Sequence, residues 1–204
     1  MKRIFLLSLL LLASVSVKAQ EKKLRFSAYT TFDYSHIPET KQLNHYGKFA
    51  FGFGLQGNYA LTERLDVVLG LAYIDKGYRE KYEGFGPTDG RELYDTKWWH
   101  AYISIPVKLQ YNFGKDTYRW YVAGGVENDF HFDANGGYRY KDVAHSVVVN
   151  LGISMAVGAK YRLGLEPTFR NALSSYSTSE VRHRNLPDLK PYSYGLKLIL
   201  TKVK

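Results

Sequence analysis

The sequence predicts an all-β fold, an eight-stranded antiparallel up-and-down transmembrane β-barrel. Three observations carry this expectation. Apolar and polar side chains alternate over long stretches, the links between those stretches alternate short and long, and the apolar face carries two bands of aromatic residues. Alternation with period two is what a strand with two unlike faces imposes, and no helical period reproduces it. The 204 residues amount to one domain, rich in Tyr (18) and Gly (18) and without Cys. The lack of Cys excludes disulfide scaffolds, thiolate nucleophiles and Cys-bound zinc. Beyond residue 19 the longest nearly unbroken apolar run, Val67 to Ile74, falls far short of the roughly 20 residues a spanning helix needs.

The chain opens with a segment of a different kind. Met1-Lys2-Arg3 is basic, Ile4 to Val17 is apolar but for serines, and Val17-Lys18-Ala19 places small residues where a signal peptidase reads them. Residues 1–19 are therefore expected to be a signal peptide and residues 20–204 the mature barrel domain. Losing Lys2, Arg3 and Lys18 with the leader lowers the net charge from +9 to +6. An exported chain without disulfides must stabilise itself by packing and backbone pairing.

Eight strands are expected, at about 22–35, 47–60, 64–78, 97–113, 118–130, 145–160, 162–175 and 191–203. In the fourth, Ala101, Ile103, Ile105, Val107, Leu109, Tyr111 and Phe113 share one face, while His100, Tyr102, Ser104, Lys108, Gln110 and Asn112 share the other. In the sixth, Val147, Val149, Leu151 and Ile153 oppose Ser146, Asn150, Gly152 and Ser154. The links at 61–63, 114–117 and near Tyr161 are short, and those at 36–46, 79–96, 131–144 and 176–190 are long and polar. An even number of strands with links in strict alternation fits a closed meander.

The composition of the two faces tells which one meets lipid. The polar face is heavy in Gly, Ala and Ser around isolated charges, which suits the narrow lumen of eight strands rather than a solvated coat. Lys108, Glu127, Glu166, Arg170 and Lys197 are expected to form a polar network there, because a charge in so narrow a space must be paired or wet. Pairing Phe113 with Tyr118 and Val157 with Leu165 would set long charged side chains opposite small ones. On the apolar face Tyr59, Tyr111, Phe113, Tyr118, Trp120 and Tyr161 gather beside the short turns. Phe49, Tyr73, Trp99, Phe130, Tyr192 and Tyr194 gather towards the long loops, with Leu69, Ile105, Val107, Val122, Ile153, Leu165, Leu196 and Leu198 between. Two aromatic girdles around an aliphatic belt mark an outer-membrane barrel.

Several stretches carry a family resemblance: "GLAYIDKGYRE" (70–80), "YISIPVKLQYNFG" (102–114), "WYVAGGVENDF" (120–130), "GISMAVGAKYRLGLEPTFRNAL" (152–173) and "YSYGLKL" (192–198). In order and spacing they resemble the PorT-like outer-membrane β-barrel domain family, common in bacteria of the Bacteroidetes group. The resemblance implies a barrel in the outer membrane and, through the namesake, a link to type IX protein secretion. Barrels of that membrane usually end on an aromatic residue, whereas this chain ends Leu200-Thr201-Lys202-Val203-Lys204.

Candidate chemistry is sparse. Glu127, Asp129, His131 and Asp133 alternate and offer either a cation site at the barrel mouth or a hydrated acidic column paired with Lys97 or with basic loop residues; the column is the favoured reading. His36 with Asp33 and Ser35, or His145 with Ser146, are the candidates for a lipid-modifying rim site, but no carboxylate is seen to orient a base. Arg182-His183-Arg184 with Lys190 is a basic cluster, read as a solvated loop with lipopolysaccharide phosphate as the alternative. The expectation is thus a monomeric barrel without catalytic, cofactor or metal site. Its partners are outer-membrane lipid, lipopolysaccharide and a protein at the extracellular loops, with no nucleic acid. The alternatives are a secretion accessory, a small-solute pore and a rim enzyme.

Overall fold

The computed structural model describes residues 24–36, 44–85, 91–114, 117–134, 141–175 and 190–203. They form eight strands: β1 Leu24–His36, β2 Asn44–Ala60, β3 Leu65–Phe85, β4 Arg91–Gly114, β5 Tyr118–Ala134, β6 Val143–Val157, β7 Tyr161–Ala172 and β8 Tyr192–Lys202. Each pairs antiparallel with its neighbours in chain order, and β1 pairs with β8 from Phe26↔Lys202 to His36↔Tyr192, which closes the barrel. Among the described residues there is no helix. The leader, and with it the expected cleavage site, lies outside the described residues.

The alternation read from the sequence is the pattern of exposure. In β7, Leu163, Leu165, Pro167 and Phe169 face out, while Gly164, Glu166, Thr168 and Arg170 are buried. The distribution is inside-out for a soluble protein. Leu55, Leu69, Leu71 and Leu151 are more than half exposed, whereas Lys108, Glu127, Glu166, Arg170 and Lys197 are at most 2% exposed. Apolar surface on that scale needs an apolar solvent. Lipid also cannot satisfy a strand edge, so only a closed sheet will serve there.

The short links are built for tight reversal. Between β2 and β3 the Leu61 and Thr62 amides donate to the Leu65 carbonyl at 2.8 and 3.1 Å, and Thr62 Oγ1 accepts from the Leu65 amide at 3.0 Å. Between β6 and β7, Gly158 takes φ of +64°, the left-handed region that L side chains avoid.

Two of the expected links need correction. The link expected at 79–96 is largely strand: β3 and β4 stay paired up to Phe85↔Arg91, so the barrel carries a β-ribbon there instead of a long loop. β5 also runs to Ala134, with β6 starting at Val143, which shortens the loop expected at 131–144. A loop-like composition hid these extensions, because strand ends beyond the membrane have no apolar face to signal them.

The registers also differ. Phe113 pairs with Trp120, not Tyr118, so Lys108 lies opposite Gly125 and Ser104 opposite Asp129. Val157 pairs with Tyr161, not Leu165, and Val148 lies opposite Arg170. A slip by an even number of residues keeps every side chain on its own face, so alternation cannot detect it.

Candidate functional site: the filled lumen and its two mouths

The middle of the barrel is a network of buried charged and polar groups, with charges from β1, β3, β4, β5, β7 and β8 and an amide from β6. Arg170 on β7 donates through Nε to Glu127 Oε2 of β5 at 2.8 Å and through Nη1 to Asp33 Oδ1 of β1 at 2.7 Å. Thr31 Oγ1 donates to the second oxygen of Asp33 at 3.0 Å. Glu166 on β7 lies between two lysines: Oε1 is 3.3 Å from Lys197 Nζ of β8 and 3.6 Å from Lys108 Nζ of β4. Its Oε2 accepts from the Tyr121 hydroxyl of β5 at 2.8 Å. Asn150 of β6 accepts from Lys108 at 3.3 Å and donates to Thr168 Oγ1 at 2.7 Å. Nearer the outer end, Lys76 of β3 donates to Asp129 of β5 at 2.7 Å.

Charges of opposite sign balance in this layer, with Lys76, Lys108, Arg170 and Lys197 against Asp33, Glu127, Asp129 and Glu166. Each ion is held within hydrogen-bonding or ion-pair reach of a counter-charge, the condition under which buried charge is tolerated. Aromatic rings occupy much of the remaining space. Lys197 Nζ lies 4.9 Å from the centre of the Tyr29 ring, a cation–π contact. Tyr29 packs with Ala72, Ile74 and Ile199 in a small apolar cluster inside the lumen. Gly152 is the position that lets Tyr121 in, since a Cβ there would overlap its ring.

All five residues expected in the lumen are buried in this layer, in two contact groups: Arg170 with Glu127, and Glu166 with Lys108 and Lys197. The expected network did not include Asp33, Lys76, Tyr29 or Tyr121; Asp129 was read in the acidic column with Glu127, and Asn150 only as a residue of the polar face. Asp33, a candidate for a rim site with His36 and Ser35, is buried under Arg170, while His36 stacks edge-on against Tyr192 at 5.3 Å. Its place on the inward face of β1 was legible from the phase of Ser27, Thr31 and Ser35; its partner was not. His145 is exposed and bonded to Asn128 Oδ1 at 2.8 Å, whereas Ser146 points into the lumen. Adjacent strand residues face opposite sides, so neither candidate rim group has its members on one face.

The side chains of three of the four residues of the acidic column are described: Glu127, Asp129 and His131. Glu127 and Asp129 face the lumen and are taken by Arg170 and Lys76. The β4–β5 register then shifts between Ala101 and Tyr102, and His131 packs against Tyr102 with ring centres 5.4 Å apart. His100 lies 6.4 Å from His131, so these three rings cap the charged layer at its outer end. The Asp133 side chain lies outside the described residues, as do Arg182, His183 and Arg184. Among the described residues no group of three or more His, Asp or Glu is placed to hold a metal ion.

On the outer wall the girdle residues occupy two bands. Tyr111, Phe113, Trp120 and Tyr161 are exposed near the short turns, with Tyr59 half-buried, and the register holds them together through Leu65↔Tyr111, Phe113↔Trp120 and Val157↔Tyr161. Phe49, Tyr73, Trp99 and Tyr192 lie towards the other end, with Tyr73 stacked on Phe53 at 5.4 Å and Phe49 against Tyr34 at 5.3 Å. A cleft of about 600 Å³ indents this wall between Phe32, Tyr34, Phe49, Phe169, Tyr194 and Leu196.

With this geometry in hand, comparison with known proteins decides the family. The family model described as "Outer membrane protein beta-barrel domain" matches residues 16–197. The chain belongs to the outer membrane protein β-barrel domain family. No curated protein sequence matches it. Among solved structures, this outer-membrane barrel is similar to Neisserial surface protein A at 13% identity and a TM-score of 0.59, covering 89% of this chain and 97% of that one. It is also similar to OprG of Pseudomonas aeruginosa at 13% identity and a TM-score of 0.54, covering 89% and 94%. Identities this low carry the fold alone. An outer-membrane barrel meets lipid and lipopolysaccharide along its outer wall, and the exposed aliphatic belt between the two girdles is the surface that does so.

Proposed function

We propose that this outer-membrane barrel is a non-enzymatic, monomeric protein that acts by recognition at its outer end, on a rigid scaffold whose lumen is filled by ion pairs. It is exported through residues 1–19 and recognises a protein partner through its outer connections. One observation carries the reading: β3 and β4 remain paired to Phe85↔Arg91, well past Trp99 of the outer girdle, so a β-ribbon stands beyond the membrane belt. A paired ribbon on a closed barrel presents backbone and side chains in a fixed place, the arrangement in which recognition surfaces are usually built. The charge-paired lumen supports the same reading, because a pore needs a wet path between its mouths.

Replacing residues 80–96 by a two-residue Asn-Gly turn tests it. The shortened barrel should still fold and reach the outer membrane, while capture of the partner and the cellular phenotype are lost. A shortened barrel that keeps the phenotype would overturn the proposal. A second reading, an accessory of type IX-like secretion, draws on the PorT-like stretches at 102–114 and 152–173. Normal secretion in a strain lacking the protein would remove it.

A further inference from the structure

The mouth of the lumen at the short turns is chemically unlike the middle. Beneath the balanced layer lies a cavity of about 40 Å³ whose wall includes Arg25, Arg119, Arg162, Gln56, Gln110 and Asn112. A water takes roughly 10–15 Å³ on this measure, so the space suits a few waters or one small tetrahedral ion. Three arginines, from β1, β5 and β7, share its lining. Asp66 at this mouth is engaged by Arg25 and by Asn112 Nδ2, the latter at 2.8 Å. Arg162 is held in place by Ser154, its Nη2 donating to the carbonyl at 3.0 Å and its Nε to Oγ at 3.3 Å. The same end of the barrel is basic throughout: among the described residues Arg25, Arg64, Arg119, Lys160, Arg162 and Lys202 stand against Glu63 and Asp66.

A second observation concerns Gln56. It is 5% exposed and lines the cavity; its Nε2 donates to Asn58 Oδ1 at 3.4 Å, and its Oε1 has no partner among the described residues. A buried acceptor of this kind calls for a donor from whatever fills the space. The wall therefore asks for an anion with several acceptor oxygens and at least one proton.

We propose that this mouth is a binding site for hydrogenphosphate entering from the side of the short turns, which in outer-membrane barrels is the periplasm. Guanidinium forks match phosphate oxygens in pairs, and the P–OH group supplies the hydrogen that Gln56 lacks. The three arginines face the lumen behind the strand wall, so a lipid headgroup held outside the barrel does not reach them. The site is independent of recognition at the outer end, and its failure would leave that reading untouched.

Titration calorimetry of the refolded full barrel in a non-ionic detergent, with inorganic phosphate as ligand and sulfate as comparison, tests the proposal. Phosphate should bind saturably, and more tightly than sulfate, which carries no proton at neutral pH. The double variant R119Q/R162Q should weaken phosphate about 10-fold or more, while R64Q on the outer rim of the same end should leave it within about twofold. Q56L should abolish the preference over sulfate. No saturable binding of phosphate up to the order of 10 mM would overturn the site. So would an equal loss in R64Q, which would mean a diffuse field, or equal affinity for sulfate. If the double variant does not fold, the phosphate–sulfate comparison on the wild-type barrel decides by itself.

Discussion

Single side chains hold the lumen together, and two of them make sharp predictions. Gly152→Ala adds one methyl group where the Tyr121 ring already lies, on the inward face of β6. Tyr121 must move, and its hydrogen bond to Glu166 goes with it. Overpacking of this kind costs about 1–3 kcal/mol, which a urea titration of the barrel in lipid vesicles would read as a lower midpoint. Unchanged stability would mean that the ring has room that the geometry denies it. Arg170 is the second case. Arg170→Met leaves Glu127 and Asp33 buried without their cation, a change expected to cost about 3–5 kcal/mol. Adding Glu127→Gln should recover part of that, so the double variant is more stable than the sum of the single losses. Strictly additive losses would show that the two groups act independently.

At the scale of the element, each strand is governed by which of its faces meets lipid. Val149 lies at the middle of β6 and is 48% exposed on the outer wall, while Ser104 on β4 is fully buried in the lumen. Val149→Arg should cost about 2–4 kcal/mol in a lipid refolding titration. Ser104→Ala should cost little, because the Ser104 hydroxyl has no hydrogen-bond partner among the described residues. Equal losses would reverse the assignment of faces. Faces were legible in the sequence because the strand period is two and lipid and lumen demand opposite chemistry. The register was not. Phe113↔Trp120 and Phe113↔Tyr118 put the same residues on the same sides, and only the turn backbone between them chooses. The strand ends of the β3–β4 ribbon were hidden for a related reason, since outside the membrane neither face is required to be apolar.

The whole molecule is a closed wall around balanced charge, and its bulk properties follow. Purified and refolded, it should run at different mobilities on a gel before and after boiling, as a closed sheet resists detergent unfolding until heated. In planar bilayers it should show no stable, reproducible conductance, because Lys76, Lys108, Arg170 and Lys197 are tied to four carboxylates across the lumen. Steady channels of defined size would place the pore above recognition as its role.

Reading along the chain was enough for the class of the protein: eight strands, the faces that line lumen and lipid, and the membrane they serve. These follow from local rules, since period, hydropathy and link length act on neighbouring residues. Which charges meet follows from the closed barrel alone. Arg170 reaches Asp33 across 137 positions of sequence, and Arg25, Arg119 and Arg162 become one mouth only when the sheet closes. No spacing along the chain encodes such contacts, because in a barrel they depend on the stagger of every strand against its neighbours, and that stagger is set jointly by all the turns, bulges and lumen side chains at once.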